Sequence, residues 1–353
     1  MASIKHAIKT IVELYPVMTA QPKRLVPMLL GAPGLGKSQA VYQAAEIIRE
    51  QNDIEPEDFS VVELRAGTMD PAEIGGFRFV IDGKTEVTEP DWYPKTSHGL
   101  LFLDELAQAS LAGMNALSEV MLDHRIGTRH LPSGWLVVSA SNRKVDRAGT
   151  TKIPAHIQDR ILPLDIDLDV DALRDYAIQS NWYDLVPVYW NYRPENVHNL
   201  GDDGRGATPR SWEMVSNFKR ADLSPEVDYT MVLSALGEEV GSDFLAFERT
   251  VDLLPDIDEV INDPMNAKVD HKPDIMFALM GALATNVARD PSKMAGTMRY
   301  LERIDQEWAF TCIADAERFN SALREADPKV KPLSCSQAYT LWLVDNKDVF
   351  VGA

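Results

Sequence analysis

The chain has 353 residues, of which 45% are hydrophobic and 25% charged, the composition of an ordinary globular protein with room for two or three domains. Its 54 acidic residues outnumber 35 basic ones, so the formal net charge is −19. Because nonspecific nucleic-acid binding depends on basic residues that neutralise phosphates, this charge argues against a general DNA or RNA coat, while leaving room for a small basic patch or a basic ring lining a pore.

The cysteine, histidine and hydropathy patterns narrow the class of protein further. Only Cys312 and Cys335 are present, so the sequence predicts no disulfide framework and favours a cytoplasmic location. The seven histidines have no metal-ligand spacing. No apolar stretch approaches the length of a membrane span, and Glu13 and Pro16 interrupt any signal-peptide core.

Nearly the first half of the chain, up to residue 166, predicts an α/β fold. An amphipathic helix is expected over residues 4–14. Short apolar runs then alternate with helical patterns, which indicates a parallel sheet covered by helices. The predicted strands are Leu25–Leu30, Phe59–Leu64, Leu100–Leu103, Trp135–Ser139 and Ile161–Ile166.

The first strand leads into a glycine-rich segment that fits the pattern G-x-x-x-x-G-K-[ST]. Its residues are Gly31, Ala32, Pro33, Gly34, Leu35, Gly36, Lys37 and Ser38, and a helical pattern over Gln39–Gln51 follows. Glycines let the backbone N–H groups turn toward an anion, and the new helix adds its positive end there. The pattern predicts a phosphate-binding loop in which Lys37 reaches the outer phosphates and Ser38 holds Mg2+.

An inserted β-hairpin is expected between the second and third strands. Phe77–Ile81 and Lys84–Thr88 flank Asp82-Gly83, a dipeptide typical of two-residue hairpin turns. Phe77, Trp92 and Tyr93 could grip a partner, but aromatic side chains more often pack on the core, and that is our prediction for them.

Two carboxylates follow the third strand, and a polar amide follows the next. Leu100–Leu103 leads into Asp104 and Glu105, which resembles a Walker B element. A parallel strand would deliver Asp104 to the carboxyl edge of the sheet, where it can hold a water of the Mg2+ shell, and Glu105 can orient the attacking water. Asn142, after the fourth strand, would lie beside the phosphates and help to position that water.

Beyond residue 166 the strand signals fade. Asp165, Asp167, Asp169 and Asp171 alternate there, and we interpret them as a solvated strand end rather than a cation site. Residues 171–180 should be helical, 199–207 form a Gly/Asp-rich linker, and Thr208-Pro209 begins another helix. Helices joined by Pro/Asp loops follow. The predicted domains are 1–166 (an α/β nucleotide-binding core), 167–223 (a helical lid) and 224–353 (a helical extension).

Taken together, these motifs resemble AAA+ ATPases of the MoxR-like branch, which includes stand-alone ATPases of bacteria and phages such as the NorQ/CbbQ-type activators. The ordered matches are Gly31–Ser38, Met69-Asp70-Pro71, Pro90–Pro94, Leu100–Glu105, Leu122–Gly127, Leu131–Trp135, Asn142, Asp159-Arg160 and Thr208–Trp212. They span roughly residues 20–290.

The resemblance implies a five-stranded parallel sheet, a helical lid and a ring, usually a hexamer, that binds ATP between subunits. Asn142 would be the first sensor and Arg210 the second. Arg160 would act on the nucleotide of a neighbouring subunit, although the basic segment after Asn142 leaves Arg143 and Arg147 as alternatives. Such proteins commonly act with a von Willebrand factor A domain partner to remodel or activate protein complexes.

Two other functions remain open on sequence grounds. A nucleic-acid motor would need basic residues facing a pore, but Arg78, Lys84 and Lys95 are nearly cancelled by nearby carboxylates. A nucleotide-gated scaffold with slow turnover is the other, and the presence of all the predicted hydrolytic residues counts against it.

Overall fold

The computed structural model describes residues 3–21, 25–127, 129–143, 153–201, 204–221 and 223–346. The chain divides into two compact units, Met1–Asp169 and Val170–Ala353. The boundary between the two units follows Asp169, three residues beyond the predicted end of the α/β core at residue 166. The further division of the helical part at residue 223 stays a prediction.

The first unit alternates strands and helices. Its elements are α1 (Ile4–Thr19), β1 (Val26–Leu30), α2 (Lys37–Gln51), β2 (Phe59–Arg65), α3 (Pro71–Gly75), β3 (Arg78–Ile81), β4 (Lys84–Val87), β5 (His98–Asp104), α4 (Leu111–Asp123), β6 (Arg125–Ile126), β7 (Arg129–His130), β8 (Gly134–Ser141), α5 (Ala155–Gln158) and β9 (Ile161–Asp165).

Five strands form one parallel sheet in the order β2-β5-β8-β1-β9. The α/β fold class and the five-stranded parallel sheet expected from the sequence are therefore confirmed. Because all five strands are parallel, their carboxyl ends meet at one edge of the sheet. The strand β1 lies inside the sheet, between β8 and β9, so the loop that follows it is flanked on both sides.

Helices cover both faces of this sheet. Along β5, Leu100 and Phe102 belong to one buried apolar cluster, while Leu101 and Leu103 belong to a second. The first cluster includes residues of α1 and α2, and the second includes residues of α3 and α4. A strand buried on both faces explains why β5 reads as a continuous apolar run in the sequence.

The first helix is longer than the predicted 4–14. It continues through Pro16 to Thr19, although proline removes one intrahelical hydrogen bond. The buried Tyr15 hydroxyl donates to the Gly134 carbonyl at 2.6 Å, and the Thr19 hydroxyl donates to the Tyr15 carbonyl at 2.7 Å. These tertiary and local contacts hold the last turn in place.

The hairpin β3–β4 turns at Asp82 and Gly83, which both have positive φ, 51° and 75°. Every residue of β3 is exposed. Trp92 and Tyr93 pack against the core as expected, and the Tyr93 hydroxyl donates to the His130 carbonyl at 2.5 Å. Phe77 does not pack in this way: it is 61% exposed, so that expectation was wrong.

The second unit is helical. Its elements are α6 (Val170–Gln179), α7 (Leu185–Tyr192), β10 (Asn199–Leu200), β11 (Gly206–Ala207), α8 (Pro209–Arg220), α9 (Pro225–Leu236), α10 (Glu238–Val251), α11 (Ile257–Asn262), α12 (Pro273–Arg289), α13 (Met294–Leu301), α14 (Gln306–Ala326) and α15 (Gln337–Asp345). The predicted linker 199–207 is instead closed by the short antiparallel pair β10–β11. None of the described helices is both long and apolar enough to span a membrane.

The core of the second unit is aromatic and contains a buried ion pair. Tyr189, Trp190 and Trp212 are fully buried and pack ring against ring. The guanidinium of Arg174 lies 2.8 Å from the carboxylate of Asp315, and both side chains are almost wholly buried. Such a pair needs both partners, because removal of one leaves an uncompensated buried charge.

Replacement of Gly99 in β5 by alanine should destabilise the first unit. A Cβ there would lie 2.2 Å from the Ser60 carbonyl oxygen and 2.7 Å from the Trp135 ring. We expect a loss of about 1–3 kcal/mol in the free energy of unfolding, measured by urea denaturation. Gly75→Ala is the matched control, since a Cβ at Gly75 meets no atom within 4 Å. Equal midpoints for the two variants would contradict the prediction.

Candidate nucleotide-binding site

The loop 31–38 connects the end of β1 to the start of α2. Gly34 and Gly36 have positive φ, 79° and 80°, which glycine adopts without strain. A Cβ at Gly31 would lie 2.9 Å from the Ile166 carbonyl oxygen, so no larger residue fits there. No side chain caps α2, so its first N–H groups face the loop and favour an anion.

Lys37 connects the loop to the neighbouring strand. Its Nζ donates to the carbonyl oxygens of Gly31 at 2.7 Å and Ala32 at 2.8 Å, and to Asn142 Oδ1 at 3.0 Å. The predicted lysine and the predicted sensor amide, 105 residues apart in sequence, are thus in direct contact. The ammonium group lies within the curve of the loop, where a phosphate would meet it.

Ser38 and Asp104 form the oxygen-rich side of the site. The Ser38 hydroxyl donates to Asp104 Oδ2 at 3.1 Å. Hydroxyl and carboxylate oxygens are the ligands that Mg2+ takes in phosphate sites, with water completing its shell. The two residues that the sequence assigned to the metal therefore lie together and fit this ion.

Glu105 stands in the left-handed region with φ 54°, which is uncommon for a residue with a side chain. Its N–H donates to Asp104 Oδ1 at 2.9 Å, and its carbonyl accepts from the Gln108 N–H at 2.8 Å in the following turn. This turn is tied to β8, because the Ala107 N–H donates to the Ser141 hydroxyl at 3.2 Å. Strained backbone of this kind concentrates at functional sites.

A second group of polar side chains joins α2 to β2 and was not predicted from the sequence. The Tyr42 hydroxyl donates to Glu63 Oε2 at 2.6 Å, and Arg65 lies 3.4 Å from the same carboxylate. The hydrogen bond to Glu63 raises the pKa of Tyr42 to about 12. Tyr42 follows Ser38 by four residues, one helical turn, so the two lie on the same face of α2. This spacing was the signal in the sequence from which Tyr42 could have been predicted near the site.

Arg160 lies at the opposite edge of the sheet from the phosphate loop. Its carbonyl accepts from the N–H of Val26, the first residue of β1, whereas the loop follows the last residue of β1. One five-residue strand, about 17 Å, separates these two ends. Arg160 is therefore not part of the phosphate site of its own chain.

The remaining predicted arginines occupy different settings. Arg143 Nη1 lies 2.9 Å from Asp167 Oδ1, at the same sheet edge as the loop. Asp167 is 39% exposed, so it lies at the solvated strand end expected from the sequence and in addition forms an ion pair there. Arg147 is outside the described residues. Arg210 is exposed at the start of α8 in the second unit, and its role toward a nucleotide stays a prediction.

Comparisons with known proteins give similarities of fold only. Neither a protein-family model nor a curated protein sequence matches the chain. Among solved structures, NtrX from Brucella abortus is 16% identical, with 93% of this chain and 68% of that one covered and a TM-score of 0.35. PCH-2 of C. elegans is 15% identical, with 69% and 67% covered and a TM-score of 0.35.

A third similar structure is a DNA polymerase III gamma subunit-related protein from Thermotoga maritima. It is 9% identical, with 97% of this chain and 98% of that one covered and a TM-score of 0.29. All three TM-scores are below 0.5, so neither a family nor a function rests on these likenesses.

Replacement of Lys37 by alanine should abolish measurable nucleotide binding. The loss of an ammonium that contacts both the loop and Asn142 should weaken ATP affinity at least a hundredfold, about 2.7 kcal/mol, by titration calorimetry. Lys9→Ala, which removes an exposed lysine on α1, is the matched control and should bind as the unmodified chain does. ATP affinity near that of the control would remove Lys37 from the site.

Proposed function

We propose that this chain is a Mg2+-dependent ATP hydrolase of the AAA+ type, in the MoxR-like branch. The observation that carries the proposal is the meeting of one cation, two carboxylates, a hydroxyl and an amide around one glycine-rich loop at the carboxyl edge of the sheet. Lys37 contacts Asn142, and Ser38 contacts Asp104. A site assembled from three separate strand ends is unlike a chance motif match.

Binding would use the groups that surround the loop. The loop N–H groups and the start of α2 offer hydrogen-bond donors to the β-phosphate, and Lys37 offers charge to the outer phosphates. Ser38 and Asp104 would hold Mg2+ directly or through water, and this ion would neutralise charge that develops on the phosphates during transfer.

Hydrolysis would then depend on the placement of the attacking water. The half-buried carboxylate of Glu105 would accept a hydrogen bond from this water and orient it, and Asn142 would restrain it from the β8 side. The left-handed backbone at Glu105 starts a turn directly after the strand, so the carboxylate of Glu105 need not follow the alternation that places Asp104.

A ring of several copies, which we expect to be a hexamer, would complete the site. Arg160 is one strand length away from the loop of its own chain, so it could reach a nucleotide only in another subunit. An arginine supplied by a neighbour can stabilise the charge of phosphoryl transfer. In this arrangement Arg210 would contact the nucleotide of its own subunit from the lid.

We further propose that the ring acts on a protein complex, with a von Willebrand factor A domain protein as partner. The hairpin β3–β4 supports a protein rather than a nucleic-acid client, because three consecutive apolar residues of β3 are exposed. Val80 is 72% exposed, Ile81 46% and Phe79 37%. The net charge of −19 also disfavours a phosphate backbone as client.

Replacement of Glu105 by glutamine should leave ATP binding intact and block its hydrolysis. Glutamine keeps the shape of the side chain but cannot accept a proton from water. We expect steady-state phosphate release to fall at least about a hundredfold. Glu50→Gln on the exposed side of α2 is the matched control. Turnover within a few-fold of that control would show that Glu105 does not have this role.

Arg160 should act between subunits. Arg160→Ala rings and Lys37→Ala rings should each be inactive, whereas rings reassembled from an equal mixture should regain about a quarter of the unmodified rate, since each subunit interface needs one intact copy of each residue. The measurement is phosphate release after mixing, with ring assembly checked by light scattering. Mixed rings that remain inactive would remove the support for Arg160 in this role.

A further inference from the structure

The ion pair between Arg143 and Asp167 spans the point at which the chain leaves the sheet to form the phosphate loop. Arg143 lies two residues beyond β8, and Asp167 lies two residues beyond β9. The sheet order places β1 between these strands. The 2.9 Å contact between Arg143 Nη1 and Asp167 Oδ1 therefore joins the two neighbours of β1 at its carboxyl end.

Gly31, the first residue of the loop, is held between the same two strand ends. Its N–H donates to the Ser141 carbonyl at 3.3 Å on the β8 side. On the other side, a Cβ at Gly31 would meet the Ile166 carbonyl oxygen at 2.9 Å, and the Ile166 N–H donates to the Leu30 carbonyl at 2.7 Å. Contacts from both neighbouring strands therefore surround Gly31, and the ion pair connects those two strands.

Asn142, the predicted sensor, belongs to the same set of contacts around Gly31. Asn142 is the residue next to Arg143, and its Oδ1 accepts from Lys37 Nζ at 3.0 Å. Lys37 in turn donates to the Gly31 carbonyl at 2.7 Å. Any shift of the segment that follows β8 would therefore change the distance between Asn142 and Lys37.

We propose that Arg143 is a positioning residue for the site of its own subunit, and that its ion pair with Asp167 sets Asn142 against Lys37 at the entrance of the phosphate loop. The inference rests on the proposed ATP hydrolysis. It assigns Arg143 a role within the subunit, in place of the action on a neighbour's nucleotide that the sequence left open.

The solvent exposure of the Arg143–Asp167 pair allows a positioning role to be distinguished from a role in stability. The Arg143 and Asp167 side chains are 27% and 39% exposed, and a pair open to solvent contributes little to folding. Its loss should therefore change the melting temperature by less than about 4 °C. A displaced catalytic amide, by contrast, lowers kcat, because the rate of an oriented reaction falls steeply with misplacement.

The experiment is a double-mutant cycle on the full chain, with kcat and KM for ATP and the melting temperature measured for each protein. We expect Arg143→Ala and Asp167→Ala each to lower kcat about tenfold with little change in KM, and the double variant to be no worse than either one. Arg143→Lys, which keeps the charge, should recover most of the rate. Losses in the double variant that multiply would overturn the pairing.

Arg49→Ala is the matched control, because Arg49 is 25% exposed and pairs with Glu46 at 3.3 Å near the other end of α2. If Arg143→Ala behaves as this control does, the inference fails while the proposed function stands. If the unmodified chain does not hydrolyse ATP, the proposed function itself fails.

A mixing experiment distinguishes action within a subunit from action between subunits. Rings reassembled from an equal mixture of Arg143→Ala and Lys37→Ala chains should show about half the rate of Arg143→Ala rings, roughly a twentieth of the unmodified rate, because both substitutions damage the subunit that carries them. Recovery to about a quarter of the unmodified rate would place Arg143 across the interface and overturn the proposal.

Discussion

The parallel arrangement of the five strands is the constraint on which the rest of the first unit depends. Parallel strands point the same way, so the residues that follow β1, β5 and β8 converge at one edge although they are far apart in the sequence. The contacts of Lys37 with Asn142 and of Ser38 with Asp104 are direct results of this convergence. The same geometry separates Arg160, which precedes β9, from that edge.

The position of β1 inside the sheet has a second result. A loop that leaves an interior strand has a neighbour on each side, and both neighbours restrain it here. Ser141 bonds the first loop residue from the β8 side, and Ile166 leaves room only for glycine from the β9 side. A loop that must present its N–H groups to an anion cannot be held by its own hydrogen bonds alone, so these flanking strands supply the rigidity.

The two units use polar groups for different purposes. In the first unit, the polar side chains at the carboxyl edge are half-buried and contact one another across strands, an arrangement suited to binding. In the second unit, the pairing of Arg174 with Asp315 lies within an apolar and aromatic core and satisfies charges that would otherwise be buried alone. The three exposed apolar residues of β3, Phe79, Val80 and Ile81, are the exception to both patterns, which is why we connect the hairpin with a client.

Local sequence determined the elements and the residue types of the site. Apolar runs, the glycine-rich loop and the Asp-Gly turn depend on neighbouring residues, so β1, β5, the hairpin and residues 31–38 could be predicted. Tertiary structure alone decided what depends on distant residues: the continuation of α1 past Pro16, the exposure of Phe77 and the pairing of Asp167 with Arg143. Strand order decided that pairing, and no single stretch of sequence encodes strand order because it is a property of the assembled sheet.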